Sequence, residues 1–498
     1  MIIQKKYLWP ISLMMAFAFQ ALFFDRSAGI NYLIFSFLVF GLAYLYLQPT
    51  KQSNTFRLIQ VLTIVSTAAV LMANTSYSLY VYWFFIILFV SVACYSRIKH
   101  IQIAPLFLYS GLIASIDTFK GDRKTGWLKK ITPFIKFIFL PIFTILVLMF
   151  IYSAANPMFL ESIENALEWV GKFLEKISFP RVFTAIVGLL LTLILLQNKA
   201  SQTAINSENR IGFVLTRVKN RGRKFFGLTK MLQRKQQVAL LTFFVLNIMI
   251  AWLNYLDIKN IWIDFSWNGE LLKQLVHEGT NMLIVAIFIS IGITLFYLNS
   301  NIVFMKNNKL FIFLVLLWLA QNVVMSCSVF IRNSIYIEYF SLAYLRIFLY
   351  FFLTACVVGL LSIAYKIMFR KSTHFLYSVN SISVVILLAM AACFNWDKII
   401  AKHNFEHYKK SFVHYSFLSQ LNNSALPYLL KSEHELGEIY AIQRGSFPFV
   451  KGKEYEQINY EKRMELRRIK FINAWKTKSI LEWNYAEFEA YNTLTAKE

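Results

Sequence analysis

Long apolar runs recur through most of the chain, and polar gaps separate them. A transmembrane helix needs about 20 consecutive apolar residues, within a range of about 17 to 25. The candidate runs lie approximately at 8–24, 29–48, 58–73, 78–95, 135–154, 182–197, 238–256, 280–298, 310–331, 341–367 and 375–394. This pattern predicts an all-α fold in which residues 1–394 form a polytopic transmembrane helix bundle of about 11 spans.

A further apolar stretch lies at 101–118 and is interrupted by Pro105, Gly111 and Asp117. We interpret this stretch as a re-entrant or interfacial helix. The alternative is a true span, which would raise the count to 12. Because an added span would reverse the side of the membrane on which every later loop lies, the charges of the loops help to decide between the two counts.

Lys and Arg are concentrated in alternate gaps between the runs. The 96–136 region carries eight basic and two acidic residues, and the 198–237 loop carries ten and one. The intervening gaps at 155–181 and 257–279 carry three and two basic residues against four acidic residues each. Cytoplasmic loops are enriched in Lys and Arg. With 11 spans, the alternation therefore predicts an inner-membrane protein with a cytoplasmic N-terminus and an outer tail at 395–498.

The composition supports a membrane protein and bears on its partners. Hydrophobic residues make up 57% of the chain and charged residues 15%, whereas soluble domains average about 25% charged residues. The net charge of +25 would indicate nucleic acid in a soluble protein. Here the basic residues flank apolar runs, so we expect no nucleic-acid partner, and we expect contact with the lipid bilayer and its anionic headgroups.

The cysteine and histidine pattern predicts no metal site and no cofactor. The four cysteines lie in or beside apolar runs and form no CxxC pair. His277 and Glu278 precede a predicted span, where they are candidates to move protons or bind a cation, or simply form a polar helix start. A zinc motif of the HExxH type would need a second histidine at position 281, where Asn281 stands.

The tail differs from the rest of the chain because it carries 16 basic and 13 acidic residues. Helical spacing over 454–472 places Ile458, Leu466 and Ile469 on one stripe, and Pro427 suits a helix start. We therefore predict a small extramembrane domain of about four or five helices. Its aromatic residues fit either anchoring at the membrane surface or packing in the core of the domain: Trp475, Trp483, Tyr485 and Tyr491.

Arg346 is the strongest candidate functional residue, because ionisable groups inside apolar runs are costly. It either extends its charged end to the outer interface or forms a buried pair or an anionic headgroup site. Arg332 and Glu338, in the preceding outer connection, are candidate neighbours. Asp397, together with His277 and Glu278, would be the acid or base of a membrane-embedded transferase.

The 198–237 loop contains a cluster of basic residues that suits an anionic lipid or an acidic partner. The cluster comprises Arg217, Lys219, Arg221, Arg223 and Lys224. The alternative is that these charges only determine topology.

Several strings follow one another in an order that resembles a known family. They include Leu22-Phe23-Phe24-Asp25-Arg26, Ile335-Tyr336-Ile337-Glu338-Tyr339, Phe394-Asn395-Trp396-Asp397, Ser424-Ala425-Leu426-Pro427 and Trp483-Asn484-Tyr485. Together they resemble bacterial multi-pass membrane proteins of the families called domain of unknown function 4153 and 4173. The resemblance implies an integral membrane protein with a C-terminal helical segment and no established activity. It also implies a Gly-Leu-Thr before the Leu-Arg pair, where this chain has Ser341-Leu342-Ala343.

Three functions fit these observations. The first is a non-enzymatic envelope scaffold or sensor, with an envelope protein as a partner, because no P-loop, nucleophile elbow or dinucleotide motif is present. The second is a transporter or lipid-handling permease that uses Arg346 and the interrupted 101–118 stretch. The third is the membrane-embedded transferase. The sequence predicts neither a ligand nor an oligomeric state.

Overall fold

The computed structural model describes nine ranges of the chain: 5–47, 52–119, 179–197, 202–215, 225–263, 279–298, 304–305, 308–447 and 454–496. Within these ranges the chain is helical, and its β contact is an isolated antiparallel bridge between Val214 and Lys371. The apolar part contains α1 (Lys5–Phe23), α2 (Ile30–Leu42), α3 (Asn54–Ala73), α4 (Ser76–Ala93), α5 (Ala104–Phe119), α6 (Phe179–Gln197), α7 (Gln202–Asn209), α8 (Phe225–Asp257), α9 (Gly279–Leu298), α10 (Lys309–Phe340), α11 (Tyr344–Met368) and α12 (Thr373–Ala392).

Eight described helices are long and apolar enough to cross a membrane, and each coincides with a predicted span. The predicted spans 8–24 and 29–48 fall on α1 and α2, which are shorter apolar helices. The predicted span 135–154 lies outside the described residues. The prediction of an all-helical membrane protein is therefore confirmed, while the count of 11 spans stays a prediction.

The stretch predicted to be re-entrant or interfacial forms α5, which has 16 residues. At a rise of 1.5 Å per residue its length is about 24 Å, which is less than the hydrocarbon thickness of about 30 Å. Gly111 lies in the middle of α5, close to Ile194 near the end of α6 and to Cys94 just after the end of α4.

The described helices pack into two compact units. The first contains Met1–Thr67 and Trp83–Asn209, and the second contains Ala68–Tyr82 and Arg210–Glu498. The tail therefore belongs to the same compact unit as α8 to α12. A boundary between membrane and extramembrane residues at 394 and 395 stays a prediction.

In the first unit, α1 and α6 run antiparallel. Leu8, near the start of α1, clusters with Leu193 and Leu196 near the end of α6. At the other end of the pair, the guanidinium of Arg181 lies 4.7 Å from the centre of the Phe24 ring. The two helices therefore cross the bilayer in opposite directions if both are spans.

Gly188 permits the close approach of α6 to α1. A Cβ atom at this position would lie 2.5 Å from Cβ of Phe19, whereas a Cβ atom at Gly41 would meet nothing within 4 Å. Gly188→Ala is expected to lower the free energy of unfolding by about 1–3 kcal/mol through overpacking. Unfolding in mixed micelles of sodium dodecyl sulfate and a mild detergent measures it, with Gly41→Ala as the control. Equal stability of the two variants would show that this approach is not tight.

Three polar segments of the first unit meet at one place. The backbone N–H of Lys99 donates to Oε1 of Glu208 at 2.6 Å, and Oγ1 of Thr55 donates to the carbonyl of Lys99 at 2.6 Å. Thr55 is in the first turn of α3, Lys99 follows α4 and Glu208 lies in α7. The start of α3, the end of α4 and α7 are therefore on the same side of this unit.

In the second unit, α8 and α10 run parallel and are joined by a ladder of polar side chains. Nδ2 of Asn247 donates to the carbonyl of Leu314 at 3.0 Å, and Nδ2 of Asn254 donates to the carbonyl of Gln321 at 3.1 Å. Nε2 of Gln321 also donates to Oδ1 of Asn247 at 2.7 Å. Because both carbonyl contacts join residues 67 positions apart, the helices keep one register, and amide bonds of this kind hold helices together in lipid.

The two ends of α11 face different parts of the chain. At its C-terminal end, the connection to α12 pairs with residues 212–215, where the N–H of Ser372 donates to the carbonyl of Phe213 at 2.9 Å. At its N-terminal end, Tyr344, Ile347 and Phe348 contribute to the core of the tail. Residues 212–215 and the tail are therefore at opposite ends of this helix.

The tail is a helical domain that shares its core with the membrane helices. It contains α13 (Trp396–Glu406), α14 (Tyr415–Leu418), α15 (Leu426–Leu429), α16 (Glu433–Ser446), α17 (Glu454–Lys476) and α18 (Tyr485–Thr495). Pro427 lies in the first turn of α15, as predicted. Ser432 and Glu435 form a capping box at the start of α16, which satisfies orphan N–H groups there.

The helix predicted over 454–472 is confirmed as α17, but Leu466 and Ile469 of the predicted apolar stripe do not lie in the core. Leu466 and Ile469 are 61% and 48% exposed, whereas Tyr460 and Met464 are buried in the core. The Ile458 side chain lies outside the described residues. The physical reason is that α17 is oriented by its large side chains, since Tyr460 also donates to the carbonyl of Leu429 at 2.8 Å.

Two of the four tail aromatics pack in the core of the tail. Trp475 stacks on Tyr491 with ring centres 5.9 Å apart, and both rings pack against the tail core. Tyr485 is exposed, and Trp483 lies against Phe488. Core packing is therefore the role of Trp475 and Tyr491.

His403 makes the stability of the tail sensitive to pH. Burial, and then the neighbouring His407 ring stacked 4.2 Å away, lower the pKa of His403. A folded pKa below the unfolded value of about 6.5 means that stability is fully present above pH 6.5 and decreases as the pH falls through the folded pKa. Thermal unfolding between about pH 8 and pH 5 measures this loss. His403→Gln should flatten the profile, and His434→Gln, at an exposed site, should leave it unchanged.

Candidate functional site

The connection between α10 and α11 contains a strained residue. α10 ends at Phe340, and Ser341 has φ 66° and ψ 179°. This conformation is open to glycine and costs other residues about 1–3 kcal/mol. The strained position is also the one where the family resemblance implies glycine, which gives that expectation a structural reason.

Ser341→Gly is expected to raise the free energy of unfolding by about 1 kcal/mol, because it removes backbone strain at a small entropic cost. Ser341→Ala keeps the Cβ atom and hence the strain, so it is the matched control. Unfolding in mixed micelles compares the two. A Gly variant no more stable than the Ala variant would show that the backbone is relaxed at position 341.

Asn404 fastens this connection to the tail. Its Oδ1 accepts from the backbone N–H of Leu342 at 2.8 Å, and its Nδ2 donates to the carbonyl of Leu342 at 3.0 Å. Asn404 is 1% exposed. The Asn404 amide therefore satisfies both backbone groups of Leu342, and we call this pair of hydrogen bonds the clamp. It holds α13 against the connection between α10 and α11.

Asp397 makes a second contact between the tail and α11. Its Oδ1 accepts from the hydroxyl of Tyr344 at 2.6 Å and from the backbone N–H of Asn422 at 2.8 Å. Asp397 is buried in the first turn of α13. A carboxylate is stabilised there by the helix dipole, so these contacts give Asp397 a structural role.

Arg346 lies in the first turn of α11, because the helix begins at Tyr344. The predicted span begins at residue 341 and the helix begins three residues later, so Arg346 is nearer to a helix start than the pattern indicates. Its Nη1 donates to the carbonyl of Phe340 at 2.6 Å and to the carbonyl of Ser341. The last carbonyls of a helix have no N–H partner within the helix. Here the guanidinium of Arg346 is the donor to these carbonyls at the end of α10.

The remaining surroundings of Arg346 are aromatic. Its guanidinium carbon lies 4.6 Å from the centre of the Tyr336 ring, an arrangement typical of a cation–π contact. Asn333 donates to the backbone carbonyl of Arg346 at 2.9 Å. Within the described part of the chain, no carboxylate lies within ion-pair distance of Arg346.

A cavity of about 440 Å³ opens beside this guanidinium. Its volume is within the range of small-molecule sites. Arg346, Ser341 and Asn404 line it together with an aromatic wall. The wall consists of Tyr336, Phe340, Phe412, His414 and Phe417.

Arg332, a predicted neighbour of Arg346, forms a buried ion pair with Asp257. Its Nη2 lies 2.7 Å from Oδ1 of Asp257, and both side chains are buried. Ser328 donates to Oδ2 of Asp257 at 2.6 Å, and Trp262 donates to Oγ of Ser328 at 3.1 Å. These bonds extend the polar ladder to the ends of α8 and α10.

Glu338 does not line this cavity. The backbone carbonyl of Glu338 accepts from Oγ of Ser411 at 2.6 Å, and the Glu338 residue is exposed. His277 and Glu278 lie outside the described residues. So does the predicted basic cluster of Arg217, Lys219, Arg221, Arg223 and Lys224. In the described ranges, no group of three or more His, Cys, Asp or Glu residues is arranged to hold a metal ion.

Sequence reasoning missed Asn404 and Asp257. For Asp257 a signal existed, because polar residues recur every seven positions at Asn247 and Asn254 in α8 and at Gln321 and Ser328 in α10. Such a repeat on two apolar runs indicates a shared helix interface. For Asn404 we find no signal, since its partner Leu342 is 62 positions away.

The family model described as Domain of unknown function (DUF4153) matches residues 13–432. No curated protein and no solved structure matches the chain.

Proposed function

Since the chain belongs to the DUF4153 family of membrane proteins, whose description assigns no activity, we propose that it is a non-enzymatic envelope scaffold or sensor. The observation that carries the proposal is the clamp between Asn404 and Leu342. Through these two hydrogen bonds, α13 of the tail is attached to the connection between α10 and α11. A movement of the tail would therefore be transmitted to the membrane helices, and the reverse.

The packing of the tail supports this coupling. The N–H of Phe412 donates to the carbonyl of Tyr339 at 2.8 Å, and Ile347 is buried in the core of the tail. A second attachment joins Nδ2 of Asn422 to the carbonyl of Asn74 at 2.7 Å. An independent domain on a linker would lack these bonds, so the tail is suited to a fixed role.

The topology that we propose has 11 spans, with the tail on the outer side of the inner membrane. Three contacts support the directions of the helices. The antiparallel packing of α1 and α6 supports 11 spans, because α6 is then the sixth span and runs opposite to the first. The contact between Lys99 and Glu208 requires an even number of crossings between them. The pairing of residues 212–215 with the start of α12 supports a tail on the other side of the membrane from these residues.

A disulfide test addresses the fixed position of the tail. Tyr339→Cys with Phe412→Cys tests two residues whose backbones are hydrogen-bonded. In a background without the native cysteines, we expect a disulfide to form between them in membranes. Tyr339→Cys with Tyr485→Cys, at an exposed residue of α18, is the control. Equal cross-linking of both pairs would contradict a fixed tail.

A permease is the second candidate, and the polar ladder is the observation that favours it. Buried amide oxygens of Asn254, Gln321 and Asn322 have no hydrogen-bond partner among the described residues. Polar groups inside a bundle can line a transport path. Fluorescent-lipid scrambling in proteoliposomes separates the candidates, because a scaffold gives the rate of empty liposomes. A faster rate that Asn247→Leu abolishes would support the permease.

A further inference from the structure

We propose that the cavity beside Arg346 binds the phosphate of an anionic phospholipid headgroup. The proposal deepens the proposed function, because it gives the sensor a ligand at the point where the tail meets the membrane helices. The lipid-binding proposal depends on the proposed function only in placing the cavity at the outer surface of the membrane. The chemistry that recognises the ligand comes from the cavity itself.

The first support is an uncompensated cation. The guanidinium of Arg346 has three donor nitrogens. Its two carbonyl bonds use Nη1, and its hydroxyl partner is the neutral side chain of Tyr336, so no negative charge balances it. The described residues provide no carboxylate for it. A guanidinium presents parallel donors that match the oxygens of phosphate, which an ammonium group does not. The N-terminal turn of α11 adds a favourable dipole for an anion.

The second support is a buried hydroxyl in the wall of the same cavity. Oγ of Ser341 is buried and has no hydrogen-bond partner among the described residues, and Ser341 lines the cavity. An unpaired buried hydroxyl costs about 1–3 kcal/mol, and the left-handed conformation of Ser341 adds strain. A phosphate oxygen would accept from this hydroxyl. Strain and an unpaired donor at one residue are typical of a ligand-binding position.

The third support is exposed apolar surface next to Arg346 in the chain. Leu345 is 85% exposed. Phe340, Phe412 and Phe417 line the cavity. An exposed apolar surface at the end of two membrane helices suits acyl chains, while the guanidinium suits the headgroup. An amphiphile therefore fits this place better than a soluble anion.

The test is a titration of the purified full chain in a neutral detergent after removal of lipid. Three probes are compared, namely dihexanoyl phosphatidylglycerol, dihexanoyl phosphatidylcholine and inorganic phosphate, with the thermal unfolding midpoint and native mass spectrometry as readouts. We expect phosphatidylglycerol to bind and to raise the midpoint above the other two. Binding of inorganic phosphate with equal affinity would retain the phosphate site and assign it to a soluble anion, overturning the lipid. Equal effects of both lipids, or none, would overturn the site.

Variants assign the binding to Arg346. Arg346→Gln should weaken phosphatidylglycerol binding by about tenfold or more, and Arg346→Lys should weaken it too, because the planar fork is lost. The matched control is Lys470→Gln, an exposed cation of α17 outside the cavity. Unchanged binding by Arg346→Gln would overturn the proposal.

A cross-linking experiment keeps the test valid if the Arg346 variants do not fold. A photoreactive benzoylphenylalanine replaces Phe417 in the cavity, or Phe488 in α18 as the control. We expect phosphatidylglycerol to be captured at 417 and not at 488, and equal capture at both would overturn the site. The two proposals can fail separately. If the chain binds no lipid but the Tyr339–Phe412 disulfide still forms, the lipid proposal is contradicted and the scaffold proposal is retained.

Discussion

Asp257→Asn is expected to lower the free energy of unfolding by about 3–5 kcal/mol, because Arg332 then loses the counter-charge of a buried pair. The pair is joined at 2.7 Å, and both side chains are less than a tenth exposed. Asparagine keeps the shape of the side chain and can still accept from Ser328. The loss therefore reports the charge rather than the packing.

Two further variants test the cause of this loss. The double variant Asp257→Leu with Arg332→Met removes both charges and is expected to recover most of the stability. Glu465→Gln breaks a pair in α17 whose side chains are 48% and 25% exposed, so it is expected to cost less than about 1 kcal/mol. Unfolding in mixed micelles measures all three. A double variant as unstable as Asp257→Asn would show that the charges do not act as a pair.

Asn404→Ala is expected to cost about 2–3 kcal/mol and to loosen the tail from the membrane helices. The substitution leaves the N–H and the carbonyl of Leu342 without their partners, and an unpaired buried polar group is expensive. Limited proteolysis of membranes should release tail fragments faster from this variant. Asn473→Ala, at an exposed position of α17, is the control. Equal proteolysis of the two variants would contradict the clamp.

The membrane helices could be predicted from sequence because one property determines them. Each span must be apolar over its whole length and must satisfy its own backbone, so the runs stand out without knowledge of any contact. The start of α11 could not be placed in the same way. Its first residues are apolar, and the helix begins at Tyr344 because Ser341 turns the chain and Asn404 holds Leu342.

The candidate site was predictable only in part. Arg346 is conspicuous because a charge inside an apolar run needs an explanation. Its partners are not conspicuous, since they include backbone carbonyls, which every residue has. Asp257 and Arg332 are 75 positions apart, so their pairing depends on the parallel packing of α8 and α10. A local sequence pattern does not indicate which residues pair across such a separation along the chain.

The labelling of single cysteines tests most directly whether the tail and the basic loop lie on opposite sides of the membrane. Ser446→Cys lies in α16 and Asn209→Cys in α7, and both positions are exposed. Cys94, Cys327 and Cys356 are replaced, as is Cys393. An impermeant thiol reagent is expected to label position 446 in intact cells and position 209 only after lysis. Labelling of both positions before lysis, or of neither, would contradict the proposed topology and with it an outer tail that senses the membrane surface.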